Sequence, residues 1–191
     1  MSASTQYAAR LILASLLWVL PVGAQSSDED DFKLARNLYR DAGDYATSST
    51  LFAEFIRNYP NSAQLSEARL MLARSYRNSS RFALAASAYE TFFLEHTDHL
   101  ATADARRERA ACLSQTGQYA AAALAYEDVQ RRFSASDFAA QALIDAAANH
   151  TYGQNPQRAV DLYQRVLDEY STSAAVHQAR YQLAKLLFTA G

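Results

Sequence analysis

A step of 37 residues returns this chain to the same kind of residue again and again. From Tyr45 it lands on Phe82, Tyr119 and Pro156. Seven residues after each of these stand Phe52, Tyr89, Tyr126 and Tyr163, all aromatic. Fourteen after stand Tyr59, His96, Phe133 and Tyr170, and twenty-three after stand Ala68, Ala105, Ala142 and Ala179. Two before stand Gly43, Ser80, Gly117 and Gln154, and the series ends on Gly191. A fixed period of this size marks an array whose units bury their apolar faces only against their neighbours. The chain carries four units and the first helix of a fifth.

Each unit reads as two helices. Only five Gly and three Pro interrupt the 191 residues, and Ala, the best helix former, is abundant. No alternating β-branched run suggests a strand. In the second unit Leu65, Ala68, Leu72 and Tyr76 recur at helical spacing, which predicts a helix from about residue 63 to 78. In the third unit Ala122, Tyr126, Val129 and Phe133 share one face of a helix starting near Tyr119. Gly117 suits the left-handed position after a helix. Asn155 is placed to cap, and Pro156 to open, the second helix of the fourth unit. Pro60 ends a helix, and Ser62 is placed to cap the next. Ser48, Ala85, Ala122 and Ala159 stand one turn before the repeated aromatics, where a small residue lets two helices approach closely.

Residues 1–24 are expected to be a signal peptide. Arg10 precedes the apolar run Leu11–Leu20, and Pro21-Val22-Gly23-Ala24 offers small side chains for cleavage after Ala24. The run is shorter than the about 20 apolar residues of a spanning helix, although an uncleaved inner-membrane anchor is the competing expectation. No cysteine stands at the cleavage site to take a lipid. Residues 25–31, Gln-Ser-Ser-Asp-Glu-Asp-Asp, are expected to be a solvated acidic linker, and residues 32–191 the array.

The repeated residues resemble the tetratricopeptide repeat family. Gly43-Asp44-Tyr45 matches the turn between paired helices, Phe52 the aromatic position and Pro60 the end, and Gly117, Tyr119, Ala122 and Tyr126 match in the third unit. The resemblance implies an all-α, right-handed superhelical solenoid. The usual family repeat is three residues shorter, so the connection into the next unit should be longer here. In this respect the chain is similar to long-repeat bacterial envelope proteins such as the Tol-Pal-associated periplasmic repeat protein and the repeat-built lipoprotein of outer-membrane assembly. The resemblance also implies a concave groove lined by the first helices. Matching positions are Lys33, Asn37, Arg40, Arg74, Arg77, Arg107, Ser114, Gln115, Thr151, Tyr152, Tyr181 and Lys185. The first two units would then present a basic, amide-bearing patch. Lys33 and Asn37 match the start of the family's carboxylate clamp, but its later positions fall on Met71, Asp104 and Glu108.

The repeat register assigns structural places to the residues that invite chemistry. His96 falls in the aromatic end-of-helix slot and His99 in the slot of Ser62, Ser136 and Ser173, and a zinc site needs three or four ligands. His150 shares a slot with Tyr39 and Tyr76. Cys112, the only cysteine, shares one with Leu38 and Leu186, so a small apolar filler is expected there and no disulfide. No phosphate loop or nucleophile elbow occurs. A net charge of −2 gives no field for nucleic acid. The expectation is an exported, non-enzymatic scaffold of the periplasm or cell envelope, membrane-proximal at most, without cofactor or metal. It would bind a protein or peptide partner through the concave face. The rival expectation is the front region of a longer exported enzyme, such as a peptidoglycan hydrolase. Leu183, Leu186, Leu187 and Phe188 on the last helix are expected to be partly exposed and to offer a surface for self-association.

Overall fold

Residues 27–95 and 102–190 are described by a computed structural model, and their regular structure is helical throughout. The first helix, α1 (Asp28–Asn37), runs into a π-helical turn over Leu38–Ala42. Then follow α2 (Tyr45–Asn58), α3 (Leu65–Asn78), α4 (Phe82–Glu95), α5 (Thr102–Gln115), α6 (Tyr119–Arg132), α7 (Ala139–Tyr152), α8 (Pro156–Glu169) and α9 (Ala175–Ala190). Each helix packs on its neighbours in sequence, which is the contact pattern of an α-solenoid. The pairs α1–α2, α3–α4, α5–α6 and α7–α8 are the four units, and α9 is the first helix of a fifth.

The turn inside each unit repeats in its left-handed residue, and in the last three units in its closing hydrogen bond as well. Gly43, Ser80, Gly117 and Gln154 all have positive φ, at 65°, 60°, 75° and 61°. The amide that follows each donates back at 2.8–3.0 Å: Asp44 to Leu38 O, six residues back across the π-helical turn, and, five residues back, Arg81 to Tyr76 O, Gln118 to Leu113 O and Asn155 to His150 O. This is a Schellman-type closure, which satisfies carbonyls that the helix end leaves open. Asp44 and Asn155 then cap the second helices by accepting from the amides of Thr47 and Arg158. Between units the backbone repeats as well. Ser62, Ser136 and Ser173 donate their amides to the carbonyls of Tyr59, Phe133 and Tyr170.

The small positions read from the period, and the aromatics one turn after the first set of them, are interior. Ser48, Ala85, Ala122 and Ala159 are fully buried, as are Ala68, Ala105, Ala142 and Ala179. Phe52, Tyr89, Tyr126 and Tyr163 are buried beside them. Cys112 has no exposed surface and sits in the apolar cluster of Tyr89, Phe92 and Ala122; burial pushes its thiol up to about 11.

Three expectations are corrected. Residues 28–31 are not linker: they form the first turn of α1, with Ser27 Oγ accepting from the Asp30 amide at 3.2 Å. Four carboxylates there complement the positive end of the helix dipole. They also anchor the next connection, because Tyr59 donates its hydroxyl to Asp31 Oδ2 at 2.7 Å and Ser62 to Asp28 Oδ2 at 2.8 Å. Ser62 does not cap α3. That helix starts at Leu65 after Gln64, and Ser62 Oγ accepts only the Gln64 amide, short of the helix. Finally, the 37-residue step slips in the first helix. From Leu70 and Ala73 it lands on Lys33 and Arg36, yet the buried residues are Phe32 and Ala35, one position earlier, with the Phe32 ring set at steep angles against Phe52 and Phe55. The π-helical turn at Leu38–Ala42 takes up the extra residue.

Candidate functional site

Two pockets open on the face made by the first helices, one repeat apart. The first, about 230 Å³, is lined by Arg77, Asp104, Arg107, Glu108, Ala111, Tyr126 and Asp145. The second, about 200 Å³, is lined by Ala148, Thr151, Tyr152, Tyr163, Gln182, Lys185, Leu186 and Thr189. Adding 37 to Ala111, Tyr126 and Asp145 gives Ala148, Tyr163 and Gln182, so the two pockets are the same place in successive units. The wall of each is an aromatic from a second helix. Each is also lined by a polar side chain from the first helix of the next unit and by an alanine.

The unit before holds the same arrangement with an arginine on the acid. There Tyr89 and Glu108 take the places of Tyr126 and Asp145, while Arg74 and Arg77 take those of Ala111 and Ser114. Arg74 Nε donates to Glu108 Oε2 at 3.0 Å, Tyr89 donates its hydroxyl to the same oxygen at 2.8 Å, and Arg77 lies 3.6 Å from Oε1. Burial and the adjacent Glu108 charge push the Tyr89 phenol well above its usual range.

At Asp145 the carboxylate takes one amide bond, from Gln141 Nε2 at 3.0 Å. Burial raises its pKa, and the Gln141 bond and the more distant Arg107 charge only partly offset this. Arg107 itself leans on Asp104 at 3.5 Å and covers the Phe138 ring at 4.8 Å. Burial also raises Tyr126, and pushes Tyr163 up to about 12.

Of the residues expected to line a groove, the structure brings Arg77 and Arg107 into the first pocket and Thr151, Tyr152 and Lys185 into the second. Arg74 stands beside the first through Glu108. Lys33, Asn37, Arg40, Gln115 and Tyr181 are exposed and line neither pocket. The basic patch expected in the first two units is corrected to a compensated one: Lys33 pairs with Glu29 at 2.6 Å, and Arg74 and Arg77 share Glu108. Ala111, Tyr126, Asp145, Tyr163 and Gln182 are the lining residues that a list of basic and amide positions passes over. The 37-residue register contains them, since Glu108, Asp145 and Gln182 form one polar series.

Away from this face, His150 is packed rather than free. Its Nε2 lies 2.8 Å from Glu127 Oε1, and Glu127 also binds Arg158, so one carboxylate ties α6 to α7 and α8. Burial pushes the Glu127 pKa up, but the His150 and Arg158 bonds outweigh it and hold it below its usual range. His96 and His99 lie outside the described residues. Among the described residues no three His, Cys, Asp or Glu side chains are grouped to hold a metal, and no helix is long and apolar enough to cross a membrane.

The tetratricopeptide repeat family model matches residues 31–62 and 141–173, which are the first and fourth units. Solved structures share the fold at low sequence identity. A tetratricopeptide repeat protein from Parabacteroides merdae superposes with a TM-score of 0.68 at 16% identity, over 85% of this chain and 60% of its own. The MamA RS-1 ArsTM double mutant gives 0.63 at 16%, over 82% and 83%. BtubC from P. vanneervenii gives 0.63 at 18%, over 85% and 72%. No curated protein sequence matches the chain. The fold is a tetratricopeptide-like solenoid, and the repeat family is supported in two of its units.

Proposed function

We propose that this chain is an exported, non-enzymatic adaptor of the cell envelope that holds an extended segment of a partner protein along the face of its first helices. The observation that carries this is the pair of equivalent pockets at Asp145 and Gln182, one repeat apart. Sockets repeated at a fixed interval suit a ligand that is itself a chain, and stacked repeats present such a surface as a continuous concave face. The matched polar lining residue changes from the Asp145 carboxylate to the Gln182 amide between the two, so a bound segment would meet different chemistry at each step. Solenoids of this kind are generally protein-interaction modules, which agrees with the family match.

A displayed random-peptide library panned on the full mature chain tests the groove. Peptides should be recovered whose binding is lost in Thr151→Trp, which fills the second pocket. Binding should survive Leu124→Trp, at an exposed second-helix position. Peptides indifferent to Thr151→Trp would overturn the groove. Export rests on the Arg10, Leu11–Leu20 and Ala24 pattern, with a first helix capped at Ser27 shortly after it. Intact mass of periplasmic protein should give a mature start at Gln25. Recovery of the full-length chain in the inner membrane would defeat that part of the proposal.

A further inference from the structure

The same inter-unit junction occurs filled and empty in one molecule, and the filled copy shows what fits the empty one. At the junction of the second and third units, Glu108 accepts from both the Arg74 guanidinium and the Tyr89 hydroxyl. At the next junction the acid and the phenol are kept as Asp145 and Tyr126, but the arginines are replaced by Ala111 and Ser114. The pocket of about 230 Å³ opens beside Ala111, where the arginine of the preceding junction is missing. We propose that this pocket receives an arginine side chain of the bound protein segment, its guanidinium held by Asp145 as Glu108 holds Arg74.

Asp104, Glu108 and Asp145 share the lining with Arg77 and Arg107, and Arg74 reaches Glu108 from beside it, so it is Asp145, and not a net charge, that calls for a cation. Arg77 is engaged by Glu108 and Arg107 by Asp104, whereas Asp145 has no ion-pair partner among the described residues. Its carboxylate is partly desolvated, an unfavourable state for a lone charge, and its elevated pKa reports that cost. A guanidinium offers planar paired donors to a carboxylate, which a lysine ammonium does not match. Tyr126 takes the place of Tyr89 and makes no side-chain hydrogen bond among the described residues, so its hydroxyl is available to the same carboxylate or to the ligand. The next pocket has Gln182 in place of the acid and Lys185 on its wall, so it is not a second arginine site.

This inference rests on the groove reading, and two probes separate their failures. The first probe is N-acetyl-arginine amide, titrated into the full mature chain and followed by amide shifts. Saturable shifts should centre on Ala111, Tyr126 and Asp145. The neutral isostere N-acetyl-citrulline amide should give none there, and the lysine analogue should bind more weakly. Asp145→Asn should weaken the arginine probe by at least about tenfold. Ala111→Arg, which supplies the missing guanidinium from within the chain, should abolish binding while melting no lower than the parent. Equal binding of the citrulline probe, wild-type affinity in Asp145→Asn, or no saturable shift at the pocket would each overturn the proposal. The second probe is the peptide library, which should yield arginine at one fixed position on the parent and lose that preference on Asp145→Asn. Groove-bound peptides without an arginine preference would sink the arginine site and leave the groove. Arginine-probe binding at Asp145 with no groove-bound peptide would sink the groove reading alone.

Discussion

At four matched positions the backbone takes a left-handed turn, and only two of them carry glycine. Ser80 and Gln154 hold φ near +60° with a Cβ in place, a conformation that costs an L-residue roughly 1–2 kcal/mol. Ser80→Gly is therefore expected to stabilise the protein by about 0.5–1 kcal/mol, after the greater freedom of glycine in the unfolded chain is set against the relief. Gly117→Ala should cost about 1 kcal/mol, and purely through the backbone, because no atom lies within 4 Å of where its Cβ would stand. Urea midpoints of the two variants should move in opposite directions. A second residue-scale prediction concerns acid. Asp145 has a raised pKa when folded, so its protonated form favours the native state. Its contribution is fully present below the unfolded-state pKa and is lost as pH rises through the folded value. Asp145→Asn should raise the melting temperature at pH 7 and leave it nearly unchanged at acid pH. Glu127 has the opposite sign: its depressed pKa gives stability above the usual carboxylate range that is lost as pH falls through the depressed value. Glu127→Gln should therefore lower the melting temperature at pH 7 and do so less in acid.

At the scale of the helix, the sequence was most legible where one contact recurs. Ala122 and its equivalents are small because two helices touch there, and the period exposed them without any structure. Ala122→Trp should cost about 1–3 kcal/mol or more, whereas Ala120→Trp, exposed on the same helix, should cost less than half as much. Equal urea midpoints would contradict this register. What the period misread is equally physical. The run Asp28–Asp31 looked like a solvated linker because its charge is uniform, yet Ser27 three residues before Asp30 is a capping pattern, and acids belong at a helix start. The slip at Phe32 was hidden because a π-helical turn adds a residue without changing the composition. The groove was half legible. Arg74, Arg77 and Arg107 were visible as basic residues on first helices, but sequence spacing says nothing of which carboxylate each one meets. Glu108 neutralises two of them from the next unit, 34 and 31 residues away. The pocket itself is made by an absence of bulk at Ala111 and Ala148, and alanine in a helix carries no mark of the space beside it.

Across the whole molecule, stability should be highest where a unit is covered on both sides and lowest at its ends, because each repeat gains burial only from its neighbours. The helix α7 shows the first condition. Eight of its residues are buried, and it lies inside the apolar cluster that joins α5, α6, α8 and α9. The helix α9 shows the second. Val176 and Ala179 are its buried residues, while Tyr181, Leu187 and Phe188 are 66%, 56% and 88% exposed. Native-state amide exchange should follow this gradient, with amides of residues 183–188 exchanging at least about tenfold faster than those of 143–149. Substituting Leu187→Ser and Phe188→Ser together should leave the exchange of α7 unchanged, since these side chains belong to no described core cluster. If instead α9 is as protected as α7 in dilute solution and loses that protection in the double variant, its apolar face is covered by self-association. Light scattering at the same concentrations would then show the parent larger than the variant. A monomeric parent with an evenly protected α9 would contradict nearest-neighbour stabilisation as the rule for this array.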